Sequence, residues 1–175
     1  MPKKYEIRLS GSGGQGLILA GIILADASLL QGINAIQSQS YGPEARGGAS
    51  KAEVIISETE INYPKVQKCD MLLCLTQKSY DQYIASLKND GILIVDDSIE
   101  LRGLNGFKVF NLPILKTANI DMKRPMVANI ISLGVISKVL DIVNEENILK
   151  AVLKRVPPGT DEINKTAFYK GVSMI

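Results

Sequence analysis

Apolar and polar side chains alternate at the start of the chain. Tyr5, Ile7 and Leu9 are separated by Glu6 and Arg8, the period-two pattern of a strand over Tyr5–Ser10. A glycine cluster follows, Gly11-Ser12-Gly13-Gly14-Gln15-Gly16, and after it no charged residue occurs from Leu17 to Ala25. The spacing predicts a helix over Gln15–Leu30 that is apolar on nearly every side in its first half. Such a helix is buried, against a sheet or against a partner chain. Gly16, Ala20, Gly21 and Ala25 are small enough to let it pack closely.

Further strands are predicted at Ile33–Gln37, Ala52–Ser57, Met71–Leu75, Ile92–Asp96 and Phe107–Leu112, with a short one at Ile61–Tyr63. Helical patterns cover Gln77–Leu87 and Met126–Ile142, the latter with Ala128 and Gly134 as small contact positions. Asn144 caps a helix through Val156, with Glu145 and Glu146 in its first turn, where the macrodipole favours negative charge. Pro157-Pro158-Gly159 breaks the chain before a last helix over Asp161–Gly171. Asn89-Asp90-Gly91 reads as a turn. Ser40–Gly48 has no periodicity and holds three glycines and a proline, so it reads as a loop.

Strands alternating with helices define an α/β protein with three layers, α/β/α, around a mostly parallel sheet. Ala52–Tyr63 offers two strand signals and no room for a crossover helix. An antiparallel pair there makes the sheet mixed, with a fully parallel, doubly wound sheet as the alternative. The 175 residues suit a single domain spanning 1–175.

Composition narrows the chemistry. Charged residues make up 22% of the chain and the net charge is +2, too balanced to argue for nucleic acid or an anionic membrane. The first strand begins at Tyr5 with no signal peptide before it, and Leu17–Ala25 is too short to span a bilayer, so a soluble, cytoplasmic chain is expected. Histidine is absent, which removes the commonest general base and metal ligand. Two cysteines, Cys69 and Cys74, are too few for an ordinary four-cysteine cluster or structural zinc site, and they read as core positions. No residue is assigned as catalytic or as a metal ligand.

Two segments carry functional signals. Gly11, Gly13 and Gly16 satisfy G-x-G-x-x-G between a strand and a helix, where glycines let the backbone approach a ligand and the helix start offers N–H groups to an anion. A dinucleotide site also wants an acidic residue about 20 residues further on. The second strand ends Ala35-Ile36-Gln37-Ser38-Gln39, with none. Three readings stay open: a turn needed only for packing, an anion or partner contact, and NAD or FAD. The other segment is Ser40–Gly48, in which Tyr41, Glu44 and Arg46 sit among Gly42, Gly47 and Gly48, with Pro43 stiffening it. Long loops of this kind carry function. Arg46 is the best carboxylate or phosphate fork in the chain, while a simple Glu44–Arg46 pair on a solvated loop is the plain alternative.

Together these segments resemble the gamma subunit of 2-oxoacid:ferredoxin oxidoreductases. The likeness rests on Gly11–Gly16 followed by Ala20-Gly21, and on Ser40-Tyr41-Gly42-Pro43-Glu44-Ala45-Arg46-Gly47-Gly48. Tyr63-Pro64, Ala128-Asn129, Leu133-Gly134, Asn164, Ala167-Phe168 and Gly171 add to it. The resemblance implies a fold like the pyruvate:ferredoxin oxidoreductase gamma domain. It also implies a multisubunit enzyme that oxidatively decarboxylates a 2-oxoacid with coenzyme A, to acyl-CoA, carbon dioxide and reduced ferredoxin. The form of Ser40–Gly48 is most similar to the 2-oxoglutarate and branched-chain types, with the 2-oxoglutarate type preferred.

In that family thiamine diphosphate, magnesium and iron–sulfur clusters belong to the other subunits, so this chain would hold none of them alone. Its implied partners are an alpha and a beta subunit, with a delta subunit in some enzymes, and ferredoxin only indirectly. Self-association of the isolated chain is left open. Gly11, Gly13, Gly14, Gln15, Gly16, Ser40, Tyr41, Glu44, Arg46, Gly47 and Gly48 become candidates for contact with coenzyme A or a neighbouring subunit. The alternatives are a free-standing nucleotide-binding oxidoreductase and a pure scaffold.

Overall fold

The computed structural model describes residues 1–39, 48–103 and 106–175. Six strands form one sheet: β1 (Lys4–Gly11), β2 (Asn34–Gln39), β3 (Ser50–Ser57), β4 (Cys69–Cys74), β5 (Leu87–Asp96) and β6 (Lys108–Leu112), in the spatial order β2-β3-β1-β4-β5-β6. β1, β4, β5 and β6 run parallel, whereas β3 pairs antiparallel with both β1 and β2. The sheet is therefore mixed, but for a different reason from the one the sequence suggested. No strand forms at Ile61–Tyr63. Both edges of β3 are already paired, so a further hairpin strand has nowhere to add.

The helices are unevenly shared between the two faces. α1 (Leu17–Leu30), α4 (Ala128–Val139), α5 (Glu145–Arg155) and α6 (Asp161–Val172) cover one face, packing on Ile7, Leu9, Val54, Ile56, Met71, Leu73 and Ile94. The alternate residues of the same strands, Ile55, Leu72, Cys74, Leu93 and Val95, point to the other face and pack under α2 (Gln77–Tyr83) through Tyr80 and Tyr83. Strands buried on both faces read as continuous apolar runs, as Met71–Leu75 does. A short helix, α3 (Ile114–Lys116), follows β6.

Local sequence explains several element ends. Thr76 caps α2 in a reciprocal box with Ser79. Asn144 Oδ1 accepts the Asn147 N–H at 2.8 Å and starts α5, as expected from its sequence. Two expected boundaries move. Gln77–Leu87 is helical only to Tyr83, because a short 3-10 turn (Ile84–Ser86) hands the chain to β5. The predicted turn at Asn89-Asp90-Gly91 lies within β5. Its ladder with β4 steps from Cys69–Leu87 to Met71–Ile92, so Lys88–Gly91 stand opposite Asp70 alone. Lys88 Nζ binds Asp70 Oδ1 there at 2.6 Å, which holds the irregularity in place. The Met126–Ile142 pattern shortens to Ala128–Val139, preceded by a 3-10 turn at Pro125–Val127 and ended by an extended Leu140.

One buried ion pair sits inside the sheet. Arg8 on β1 is only 5% exposed and stands directly opposite Glu53 on β3. Its guanidinium binds Glu53 Oε1 at 2.7 Å, donates to the Val66 carbonyl at 3.0 Å and lies over the Tyr83 ring. The cysteines are buried and unpaired with each other. Burial pushes both thiols up, Cys74 to about 12.

α4 and α6 pack closely through facing glycines. A Cβ on Gly134 would overlap the Phe168 carbonyl oxygen, and one on Gly171 would overlap the Ile131 carbonyl oxygen. Both obstacles are backbone, which cannot rotate aside. Gly134→Ala should therefore destabilise the chain by about 1–3 kcal/mol or more through overpacking. Urea unfolding measures this, and an unchanged midpoint would mean that the two helices separate freely.

Candidate functional site

The glycine cluster forms the turn from β1 into α1, at the carboxyl end of the parallel strands. Its glycines differ in kind. Gly14 and Gly16 take positive φ, 85° and 71°, a region that disfavours any Cβ. A Cβ on Gly11 would displace the tip of the Gln15 side chain. That side chain folds back so that Gln15 Oε1 accepts the Ser12 N–H at 2.8 Å. Gln15 thus lies in the turn rather than in the helix. Gly13 has neither constraint: nothing lies within 4 Å of its Cβ position.

Gly16 is the N-cap of α1, with no side-chain cap. Asn129, at the start of α4, supports it from outside the turn. Asn129 Nδ2 donates to the Gly16 carbonyl oxygen at 3.0 Å, and that oxygen also accepts the Ala20 N–H. Asn129 is 3% exposed and packs directly against Gly16, where a Cβ would collide with it. Sequence reasoning gave Asn129 no role. The signal was a lone amide in the apolar stretch Val127–Ile131.

The turn opens onto a recess of about 430 Å³ lined by Ser12, Gly14, Gly16, Leu17, Ile18, Leu19, Ile22 and Ser50. None of these is charged, and most of the wall is aliphatic. β1–β3 pairing places Ser50 opposite Gly11, so the strand that follows the second motif begins beside the first. Gly48 lies just before it, and Ala49 is held by α2: its N–H meets Gln82 Oε1 at 3.5 Å and its carbonyl meets the Tyr83 hydroxyl at 3.4 Å. Ser40, Tyr41, Glu44, Arg46 and Gly47 lie outside the described residues.

This geometry argues against a dinucleotide site. β2 ends at Gln39 with no acidic residue, and β3 lies between β1 and β2, so the β1–α1–β2 unit does not place β2 beside the glycine turn as a dinucleotide fold does. Among the described residues no group of three or more His, Cys, Asp or Glu side chains could hold a metal ion. Cys69 and Cys74 are both buried in the core beside α2. No helix among the described residues is long and apolar enough to cross a membrane.

Comparison with known proteins gives this arrangement its class. Residues 6–174 match the family model for pyruvate ferredoxin/flavodoxin oxidoreductase, and the chain belongs to that family. It is a subunit of a 2-oxoacid:ferredoxin oxidoreductase. The chain is 48% identical over 172 residues to the 2-oxoglutarate synthase subunit KorC of Methanocaldococcus jannaschii, covering 96% of this chain and 92% of that one. Its fold matches the keto/oxoacid ferredoxin oxidoreductase gamma subunit of Geobacter sulfurreducens, with a TM-score of 0.88, 47% identity and 97% coverage of each chain. The same fold recurs, at 22% identity and a TM-score of 0.89, in 31% of the 2-oxoglutarate:ferredoxin oxidoreductase chain of Magnetococcus marinus, solved with 2-oxoglutarate, coenzyme A and succinyl-CoA bound.

The three glycines give a graded prediction. Gly13→Ala should leave the melting temperature near that of the parent. Gly14→Ala should cost about 1–2 kcal/mol, the left-handed penalty. Gly16→Ala should cost more than Gly14→Ala, since it adds a collision with Asn129. Chemical denaturation of the three variants checks the order, and equal stability for all three would overturn the assignment of roles within the turn.

Proposed function

We propose that the chain is the gamma subunit of a 2-oxoglutarate:ferredoxin oxidoreductase, assembled with an alpha and a beta subunit. That enzyme decarboxylates 2-oxoglutarate, transfers the succinyl group to coenzyme A and passes the electrons to ferredoxin. Thiamine diphosphate, magnesium and the iron–sulfur clusters are held by the partner subunits in this reading. The observation that carries it is the end-to-end match to a relative named for 2-oxoglutarate. The aliphatic recess supports a docking role for the glycine turn: Ile18, Leu19 and Ile22 remain partly exposed in the first half of α1. We assign Arg46, the guanidinium of the second motif, to a coenzyme A phosphate.

The isolated chain should show no turnover, having neither a histidine base nor cluster ligands of its own. Anaerobic reduction of a viologen dye, dependent on 2-oxoglutarate and coenzyme A, should appear only when the alpha and beta subunits are co-expressed with it. Turnover by this polypeptide alone would refute the reading, and a reconstituted enzyme that prefers another 2-oxoacid would refute the substrate.

In the assembled enzyme, Arg46→Ala should weaken coenzyme A use by about 1.5–3 kcal/mol, the worth of a charge-assisted hydrogen bond. An unchanged apparent coenzyme A affinity would remove that contact.

A further inference from the structure

Between β6 and α4 the chain makes a π-helical turn over Thr117–Asp121 and a 3-10 turn over Pro125–Val127. At their junction Lys123 takes φ of 52°, a left-handed conformation uncommon for a residue with a side chain. The Arg124 N–H donates to the Ala118 carbonyl at 2.8 Å and closes the turn. Lys123, Arg124 and Met126 are thereby set on the lip of a groove of about 490 Å³, which runs between the start of α4 and the α5–α6 connection. Leu19, Val127, Ile130, Val156, Pro157 and Ile163 make most of its wall. Met126 is 82% exposed, more than any other apolar side chain among the described residues except Met1.

Three features say what the groove takes. Its amides are already engaged within the chain: Asn129 Nδ2 on the Gly16 carbonyl, and Asn164 Nδ2 on the Thr160 carbonyl at 2.9 Å. Recognition is therefore left to apolar contact and to the lip. On that lip, neither Lys123 nor Arg124 pairs with a carboxylate among the described residues, although other lysines and arginines of the chain do. Finally, Leu19 lines both this groove and the recess at the glycine turn, so one apolar surface continues from the turn to the groove. A surface so extended, with Met126 open to solvent, fits a length of polypeptide better than an enclosed small molecule.

We propose that this groove docks an acidic, apolar segment of a partner subunit. The segment lays a large apolar side chain between Met126 and Ile163 and sets its carboxylates against Lys123 and Arg124. Methionine suits such a contact because it repacks around irregular partners. The two cations exclude basic segments, since like charges brought together at an interface are strongly repelled. The proposal rests on the subunit reading above and adds to it where the contact lies and what chemistry the partner presents.

The test is co-purification of the affinity-tagged full chain with co-expressed alpha and beta subunits. The parent, a Lys123→Glu/Arg124→Glu double variant and Met126→Ala are compared, with the melting temperature of each tagged chain measured separately. The charge reversal should lower recovery of partner subunits by about tenfold or more, and Met126→Ala should lower it by a smaller factor. Both variants should melt like the parent. If the double variant melts lower, the neutral Lys123→Gln/Arg124→Gln pair decides by the same measure. Undiminished recovery in the folded charge variants overturns the groove while leaving the subunit reading intact. A parent chain that recovers no partner at all overturns the subunit reading, and the groove proposal with it.

Discussion

The structure depends on the need to enclose α1. From Leu17 to Ala25 this helix has no charged side chain, so no side of it gains from facing water. β2, β3 and β1 lie beneath it, and α5 and α4 close over it. The packing of α4 and α5 onto that face follows from the same demand, while among the described residues α2 lies on the other. Enclosure also sets the residue sizes. A Cβ on Gly21 would come within 3.3–3.4 Å of Ala52, Gln37 and Val54, so glycine there lets the helix lie close on β2 and β3. In the charge-free half of the helix, Ile18, Leu19 and Ile22 stay partly exposed and leave an apolar surface open to a neighbour.

The glycine turn is the other half of this arrangement. An apolar helix start cannot carry its own polar cap without burying it, and α1 has no side-chain cap. The support comes instead from Gln15 within the turn and from Asn129 across the core, both neutral amides that satisfy backbone groups. This division explains why a sequence pattern shared with phosphate-binding turns surrounds a recess with no basic side chain among its lining residues. The glycines answer first to backbone conformation and packing. Gly14 and Gly16 need a left-handed φ, and Gly11 and Gly16 leave room for an amide.

Much of the architecture was legible because periodicity reports burial directly. The strand at Tyr5–Ser10, the helix after the glycines and the Asn144 cap all emerge within a residue or two of their observed bounds. The misreadings have a common origin in contacts between distant segments. Whether Ile61–Tyr63 forms a strand depends on both edges of β3 being occupied, which no local pattern shows. The run Lys88–Gly91 has turn residues yet stays in β5, because Asp70 on another strand holds it there. For the site, spacing picked out the glycine turn but could not rank its glycines, since that requires φ and neighbours. The parts played by Asn129 and the Lys123–Arg124 lip could not be read for the same reason: their significance lies in what they face.

The Arg8–Glu53 pair has a bearing on how this protein can change. The two residues are directly opposed in the β1–β3 ladder, and slipping β3 by one residue would set the buried guanidinium against Ala52 or Val54. A buried charge deprived of its partner costs about 3–5 kcal/mol, so the alternative alignment is strongly disfavoured. The same ladder places Ser50 against Gly11 a few residues further along. Alignment at the mouth of the recess is thus dictated from inside the sheet, independently of the length of the segment joining β2 to β3. A change at Arg8 or at Glu53 must therefore be matched at the other before the scaffold can keep it over evolutionary time, so the two positions are tied to one another more tightly than to their neighbours along the chain.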